Sequence, residues 1–444
     1  MSSDSQDSVE HGFEWPAKES ALQAARTFLQ ECAAARSRTL MLPDKDADGL
    51  CASLIIYRTL LALGLPSDMI STHFVTKGSN VHTESERVLF EAYKPQYVIV
   101  VDQGSRRGDP LVRGKGTRTL LVDHHWTNSD DDFPQGALIL SAARHPPVAT
   151  SSALAYMLCR PFVPSQRRDG IDYLCVMGTY GDLGASFVFG PGWPNEEIQA
   201  CIRRCTKKAL LNGVVLLNAP RRTATYDVQS AWTALLKSKI SPAPILEDPR
   251  LKDARKEVNE EVSRVSRNRP WFSGDGRVAL IRVTSSAQIH PMIATRWSYS
   301  LTSTKLEVVM CANDGYLPGM TNFSCRVAKC AKDRLLKDAH ETCSTGQKRK
   351  ASAFSPDDEV DSQGINIIEI LKDYAGREDG LIDDMGENFA RGHKQASGGI
   401  VNTEYFERLW VIMQTSSSHN EDSKVKRQKK PSAQKNTLEG WLIR

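Results

Sequence analysis

The chain has 444 residues, of which 25% are charged and 40% apolar, with a formal net charge of +4. That length accommodates two domains with separate cores plus tails, and the composition excludes fibrous, membrane-embedded and wholly disordered classes. So small a charge excess declares no overall nucleic-acid-binding surface, and no apolar run approaches the length of a membrane span.

Residues 1–37 read as a polar tail followed by a helix over 21–35, and the acid-containing start predicts an intracellular protein without a signal peptide. The apolar stretch Thr39-Leu40-Met41-Leu42 then reads as a strand. It closes on Asp44-Lys45-Asp46-Ala47-Asp48-Gly49, and apolar periodicity from Leu50 to Leu63 predicts a helix directly after. Thr72-His73-Phe74-Val75 reads as a further strand. Tyr97-Val98-Ile99-Val100-Val101 ends on Asp102, and Thr119-Leu120-Leu121-Val122 ends on Asp123-His124-His125. Thr150-Ser151-Ser152 precedes a helical stretch and offers hydroxyls and helix amides to a phosphate, or serves only as a cap. Gly178-Thr179-Tyr180-Gly181-Asp182 supplies another acid.

Acid or imidazole therefore stands at three successive strand ends. A single Asp at such a turn is usually a helix N-cap, but four coincident segments point to a metal site. In an open parallel sheet the ligand crevice lies at the carboxyl ends of the strands, so separate turns converge there. Two ionised carboxylates about 4 Å apart repel by roughly 4 kcal/mol at an effective dielectric near 20, and a multivalent cation reverses that sign. Carboxylate oxygens with one or two imidazoles suit Mn²⁺ or Mg²⁺ better than zinc. The ten cysteines include no Cys-x-x-Cys pair and read as reduced thiols, Cys201 and Cys205 being two thiols on one helix face.

Residues 219–272 read as a helical linker and 273–412 as a smaller α/β domain with strands at Val278–Ile281 and Leu306–Met310. A polar mixture over 337–361 cannot bury enough surface to order itself and reads as a flexible insertion. Residues 413–444 read as a disordered basic tail. Lys424, Lys426, Arg427, Lys429 and Lys430 form a cluster that reads as a nuclear import signal or a grip on nucleic-acid backbone. Apolar residues then reappear at Leu438, Trp441 and Leu442.

The acid and histidine segments resemble the DHH phosphoesterases, and the Asp44–Gly49 run, as D-x-D-x-D-G, is similar to the RecJ-type exonucleases among them. Further along, His290-Pro291-Met292-Ile293-Ala294-Thr295-Arg296 resembles the helix start of the family's second domain. Asn322-Phe323-Ser324-Cys325-Arg326 is similar to its substrate-binding G-S-x-R strand, and Gly392-His393-Lys394-Gln395-Ala396-Ser397-Gly398-Gly399 to its closing G-G-H-x-x-A-A-G motif. Arg391 and Ser397 depart from that motif, standing where a glycine and an alanine are usual.

The resemblance implies an α/β fold: a parallel-sheet DHH catalytic domain over 38–218, joined by the helical linker to a smaller α/β substrate-binding domain, DHHA1. It implies a two-metal phosphodiesterase holding two Mn²⁺ ions, with Mg²⁺ as an alternative. Asp44, Asp46 and Asp102 would hold one ion, and Asp48, Asp102, His124 and Asp182 the other. Asp102, His124 and His125 would be catalytic, with His125 facing the scissile phosphate, while Arg296, Arg326, Gly392 and His393 would bind substrate from the second domain. The implied activity is exonucleolytic trimming of single-stranded DNA, 5′ to 3′, in nuclear replication or repair. Alternatives are hydrolysis of short oligoribonucleotides or cyclic dinucleotides, and a non-catalytic replication scaffold. Leu438, Trp441 and Leu442 resemble a sliding-clamp-binding box, which would make the clamp a partner.

Overall fold

The computed structural model describes residues 14–416 apart from 115, 128, 130, 191 and 344–363. It divides into two compact units. One runs to Arg221 and resumes over Thr225–Arg255, and the other comprises Arg222–Ala224 and the chain from Lys256 onward.

The first unit is built on five parallel strands, β1 (Thr39–Pro43), β2 (Ile70–Thr72), β3 (Tyr97–Val101), β4 (Arg118–Asp123) and β5 (Ala137–Ser141), in the order β2-β1-β3-β4-β5. Strand β2 begins and ends earlier than the Thr72–Val75 stretch expected from its composition, because the chain leaves the sheet once His73 has donated its N–H to the Met41 carbonyl. Parallel strands covered on both faces are apolar at nearly every position, and alternate residues feed opposite layers. Met41, Ile99, Val101, Leu120 and Val122 enter the larger core. It is completed by helices α1 (Glu19–Ala35), α2 (Ala47–Ala62), α4 (Ser151–Cys159) and α5 (Asp172–Leu183). Leu40, Leu42, Val98, Val100 and Leu121 enter a smaller one with Phe90 of α3 (Glu84–Ala92). Helix α2 is buried on every side over its first ten residues, Ala47–Ile56, as a helix apolar all round must be.

The sheet register fixes where the chain turns. Pro43 pairs with Val101 and Val101 with Val122. The ladder runs one residue further, with the Asp44 and Asp102 amides donating to the Val101 and Val122 carbonyls at 2.9 Å each. Strand order reverses between β1 and β3, the switch point where such sheets open a crevice at their carboxyl ends.

After α6 (Asn195–Cys205) and α7 (Lys207–Asn218), the stretch expected as linker is helical but not free-standing. Helices α8 (Val228–Lys237) and α9 (Ala243–Glu247) carry an apolar stripe that includes Trp232, Leu235 and Ile245, buried in the first core. Helix α10 (Pro249–Val265) begins there with Leu251 and ends with Val258, Val262 and Val265 in the core of the second unit.

The second unit holds a mixed sheet of β6 (Trp271–Phe272), β7 (Val278–Val283), β8 (Val308–Leu317), β9 (Met320–Val327), β10 (Arg391–His393) and β11 (Ala396–Asn402), ordered β10-β11-β9-β8-β7-β6. Only β7 and β8 pair in parallel. Helices α11 (His290–Ser300), α12 (Lys329–Cys343), α13 (Ile367–Ala375), α14 (Leu381–Met385) and α15 (Thr403–Thr415) complete this smaller α/β unit. Helix α12 runs into the insertion expected over 337–361, so that segment is helical as far as Cys343. Its later part lies outside the described residues, as do the tail signals at Lys424, Lys426, Arg427, Lys429, Lys430, Leu438, Trp441 and Leu442. Among the described residues no helix is long and apolar enough to cross a membrane.

Candidate metal centre

The carboxyl ends of β1, β3 and β4 deliver Asp44, Asp102 and Asp123 in one row. Asp102 is nearly fully buried and sits at φ 63°, a left-handed backbone that non-glycine residues adopt at a cost of about 1–3 kcal/mol and that clusters at functional sites. Asp46 takes the N-cap of α2, its carboxylate accepting from the Asp48 and Gly49 amides at 3.1 and 3.3 Å. The capping role expected for any single Asp is thus real at Asp46, and it orients a carboxylate that also faces Arg221 at 3.8 Å.

Asp48 reaches inward to the start of α4. It accepts the Ser151 amide at 2.8 Å, the Ser152 amide at 3.0 Å and the Ser152 hydroxyl, so the positive end of that helix faces a buried carboxylate. The Ser151 hydroxyl donates to Asp102 at 2.8 Å. The Thr-Ser-Ser segment, expected either to meet phosphate or simply to cap, does neither alone. Thr150 caps the helix through the Ala153 amide at 3.3 Å, while both serines are spent on the acids.

Helix α5 brings Asp182, and its glycines make that approach possible. A Cβ on Gly178 would lie 1.6 Å from the Ser152 hydroxyl oxygen and 2.7 Å from an Asp48 oxygen, and one on Gly181 would lie 2.9 Å from the Ala47 Cβ. His124 Nε2 stands among three acids: Asp102 at 3.3 Å, Asp182 at 3.8 Å and Asp48 at 3.9 Å. His125 Nδ1 donates to Asp123 at 2.7 Å, and its ring, 46% exposed, stacks at a tilt on His124 with centroids 4.7 Å apart.

Asp123, expected only as a strand end, is a hub. Fully buried, it accepts both the amide and the hydroxyl of Ser105, at 3.2 and 2.6 Å. It also accepts the His124 and His125 amides, at 2.8 and 3.2 Å, and the His125 ring. It therefore orients the two histidines from behind.

Electrostatics here are those of a centre with an excess of negative charge. Burial pushes Asp48 up to about 6, with His124 and the Ser152 hydrogen bond offsetting part of that and Asp182 adding to it. Burial and the neighbouring Asp48 charge lift Asp102 well above the usual carboxylate range against the pull of His124. Burial disfavours charge on His124, yet the hydrogen bond and charge of Asp102, with Asp182 and Asp48, hold its imidazolium up to about 10. His125 is likewise raised against burial, chiefly by Asp123. Asp123 is lowered to about 2, since His125 and Ser105 outweigh its burial. Protonated imidazole thus supplies positive charge among these acids.

Ligand atoms of Asp44, Asp46 and Asp102 all lie within 4.8 Å of one another, and so do those of Asp102, His124 and His125. Asp102 belongs to both groups. This donor set of carboxylate oxygens and imidazole nitrogens without sulfur fits a hard or borderline divalent cation. Asp48 and Asp182, expected in the second ligand group, both approach His124, and Asp48 is also held by α4.

The expected substrate-binding residues lie in the second unit. Arg326, on β9, is largely buried, and its guanidinium donates to the Ser324 hydroxyl at 2.9 Å and the Cys325 carbonyl at 2.8 Å. Arg296 is half-buried on α11, and burial lowers both guanidiniums from their usual range. Gly392 has φ 109°, and a Cβ there would meet the Ala396 carbonyl at 2.6 Å, so the β10–β11 turn carrying His393 requires glycine. Of the two departures in that motif, Arg391 folds back onto the Glu387 carbonyl at 2.5 Å, and the Ser397 hydroxyl donates to the Arg391 carbonyl at 2.9 Å. His290, at the start of α11, is buried; among the described residues its Nδ1 has no hydrogen-bond partner, and its imidazole is pushed down to about 3 by burial and the charges of Arg326 and Arg222.

Residues 38–178 match the DHH family, N-terminal domain. RecJ from Thermus thermophilus, solved in complex with Mn²⁺, is 18% identical with a TM-score of 0.57, and the match covers 89% of this chain and 54% of that one. An exonuclease RecJ bound to manganese is 17% identical with a TM-score of 0.56, over 90% of this chain and 95% of that one. The DHH domain of a member of the s1p family of ribosomal proteins is 11% identical with a TM-score of 0.60, over 91% of this chain and 94% of that one. The chain thus spans about half the length of the Thermus enzyme. No curated protein matches it in sequence.

Proposed function

We propose that this chain, whose residues 38–178 match the DHH family's N-terminal domain and whose fold is similar to that of RecJ, is a Mn²⁺-dependent phosphodiesterase. It acts as an exonuclease trimming single-stranded DNA from the 5′ end. One observation carries the reading: Asp102, on a strained backbone at the sheet's switch point, belongs to two adjoining groups of metal-ligating atoms. A pair of divalent cations there would supply Lewis-acid polarisation of the phosphodiester and a nucleophilic water at neutral pH.

The chain's own residues divide the remaining work. Asp44, Asp46, Asp102 and His124, with Asp48 and Asp182, form the cation-holding set. Asp123 orients His125 by accepting from Nδ1 and raises its imidazole above the usual range, which suits that half-exposed ring to meet a phosphoryl oxygen. For Arg296, Arg326, Gly392 and His393 a role in binding substrate phosphate rests on the resemblance of their motifs. Support for manganese comes from the likeness to two RecJ structures solved with that ion, one of them described as an exonuclease, while single-stranded nucleic acid as substrate rests on the motif resemblance. A nuclear setting and a sliding-clamp partner rest on the basic cluster and the Leu438, Trp441 and Leu442 anchors of the tail.

The direct test is hydrolysis of end-labelled oligonucleotides with Mn²⁺ by wild type, Asp102→Ala and His124→Ala. Activity in wild type that both variants lose supports the assignment. Equal hydrolysis by all three proteins ends it. A panel varying sugar, end chemistry and length fixes substrate class and polarity.

A further inference from the structure

Trp126 follows the second histidine of the metal centre directly and is 65% exposed. So large an apolar ring is ordinarily among the better-covered side chains of a folded protein. It is not loose. The Arg144 guanidinium carbon lies 5.4 Å from the ring centroid, and the same guanidinium donates to the Thr127 carbonyl at 3.2 Å. Thr127 is itself buried, so the cation is anchored to fixed backbone and supports one face of the indole.

Trp126 is the next residue after His125, so the backbone that carries the supported indole lies about 3.8 Å, Cα to Cα, from that of the histidine. A planar ring, backed by a cation and largely exposed, is the chemistry that receives another aromatic plane. Apolar docking of a protein partner fits less well, because Trp126 is flanked by His125 and by the polar run Asn128-Ser129-Asp130-Asp131-Asp132. An aromatic ligand arriving beside a phosphate-handling centre is a nucleobase.

We infer that Trp126, braced by Arg144, is a stacking platform for the nucleobase next to the scissile phosphate, so that the protein discriminates base-bearing nucleotides from abasic ones. This inference rests on the proposed phosphodiesterase reading and adds a specificity determinant to it. Stacking is blind to base identity, so the platform favours any base over none.

The test uses the full chain with Mn²⁺ and pairs of single-stranded oligonucleotides identical except that one nucleotide, at each position from either end, carries a base or an abasic tetrahydrofuran. The readout is the ratio of kcat/KM for base-bearing over abasic substrate. Wild type is expected to show a ratio of about 5 to about 150 at one position, the range set by aromatic stacking of a single base. Trp126→Ala is expected to bring the ratio near one, chiefly through KM, and Trp126→Phe to keep most of it. A wild type that cleaves but does not discriminate at any position overturns the inference alone. So does a Trp126→Ala variant that keeps the wild-type ratio. A wild type that hydrolyses no oligonucleotide removes the phosphodiesterase reading and this inference with it.

Discussion

Gly178 offers a test of the metal centre's architecture that touches no ligand. Alanine at an interior helix position is favoured over glycine by about 1 kcal/mol, so propensity alone predicts that Gly178→Ala stabilises α5. The structure predicts the opposite sign. The new methyl would sit 1.6 Å from the Ser152 hydroxyl oxygen and 2.7 Å from an Asp48 oxygen, and helix α4 must yield. Overpacking of this kind costs about 1–3 kcal/mol. Displacing Ser152 also removes a hydroxyl donor and strains an amide donor to a buried carboxylate, each worth about 1.5–3 kcal/mol. The net expectation, after the propensity gain is set against these costs, is a loss of about 3–8 kcal/mol, a large part of a typical domain's stability. Urea denaturation of wild type, Gly178→Ala, Ser152→Gly and the double variant measures it. The two sites touch, so removing the Ser152 side chain should recover much of the cost of the added methyl, and the double variant should be less damaged than the sum of the singles. A Gly178→Ala protein as stable as wild type, with unaltered Mn²⁺ affinity by calorimetry, would refute the packing that places Asp48 in the centre.

Other expectations follow from the charges. His124 is held up to about 10 by the acids around it, so a cation taking its place must displace a proton. Calorimetry in buffers of different ionisation enthalpy should show proton release on Mn²⁺ binding near neutral pH, and affinity should rise with pH. Asp123 is depressed from 3.8 to about 2, so in metal-free protein its roughly 2 kcal/mol of stabilisation is complete above its unfolded pKa and is lost as pH falls from about 4 through about 2. Acid denaturation of wild type and Asp123→Asn checks this, since the variant's stability should lack that step. The same substitution should cost about 10- to 100-fold in metal affinity or turnover, read from initial rates across a Mn²⁺ titration. A divalent cation at about 100 times its Kd should stabilise the folded first unit by about 2.7 kcal/mol, seen as a rise in Tm that EDTA reverses.

The strands and the acids at their ends were legible because a buried parallel strand is a continuous apolar run and its carboxyl end is where such a sheet exposes a crevice. Asp44, Asp102 and His124 could be placed together on those grounds, and the paired sheet confirms the α/β class. What sequence did not disclose depends on contacts across the fold. Ser151 and Ser152 resemble any polar helix start, and only the approach of α2 to α4 turns their hydroxyls onto Asp48 and Asp102. Asp123 has the spacing of a ligand, yet the chain folds its own amides and the His125 ring around it. The stripe on α8 and α9 reads equally as linker or core until the larger core is seen to need it. His290 announced itself only as a residue at a helix start, since burial beside Arg326 has no local signature.

The register Pro43 to Val101 to Val122 has a consequence for how such a chain can change over time. Because the three acids are spaced by the sheet and not by the loops between them, the loops that follow α2 in the β1-to-β3 connection and Ser105 in the β3-to-β4 connection can be lengthened while the acids stay aligned. One residue inserted within β1 or β3 would instead rotate every later side chain of that strand to the other face and carry its terminal acid out of line. Strand length, more than strand composition, is what inheritance must conserve here.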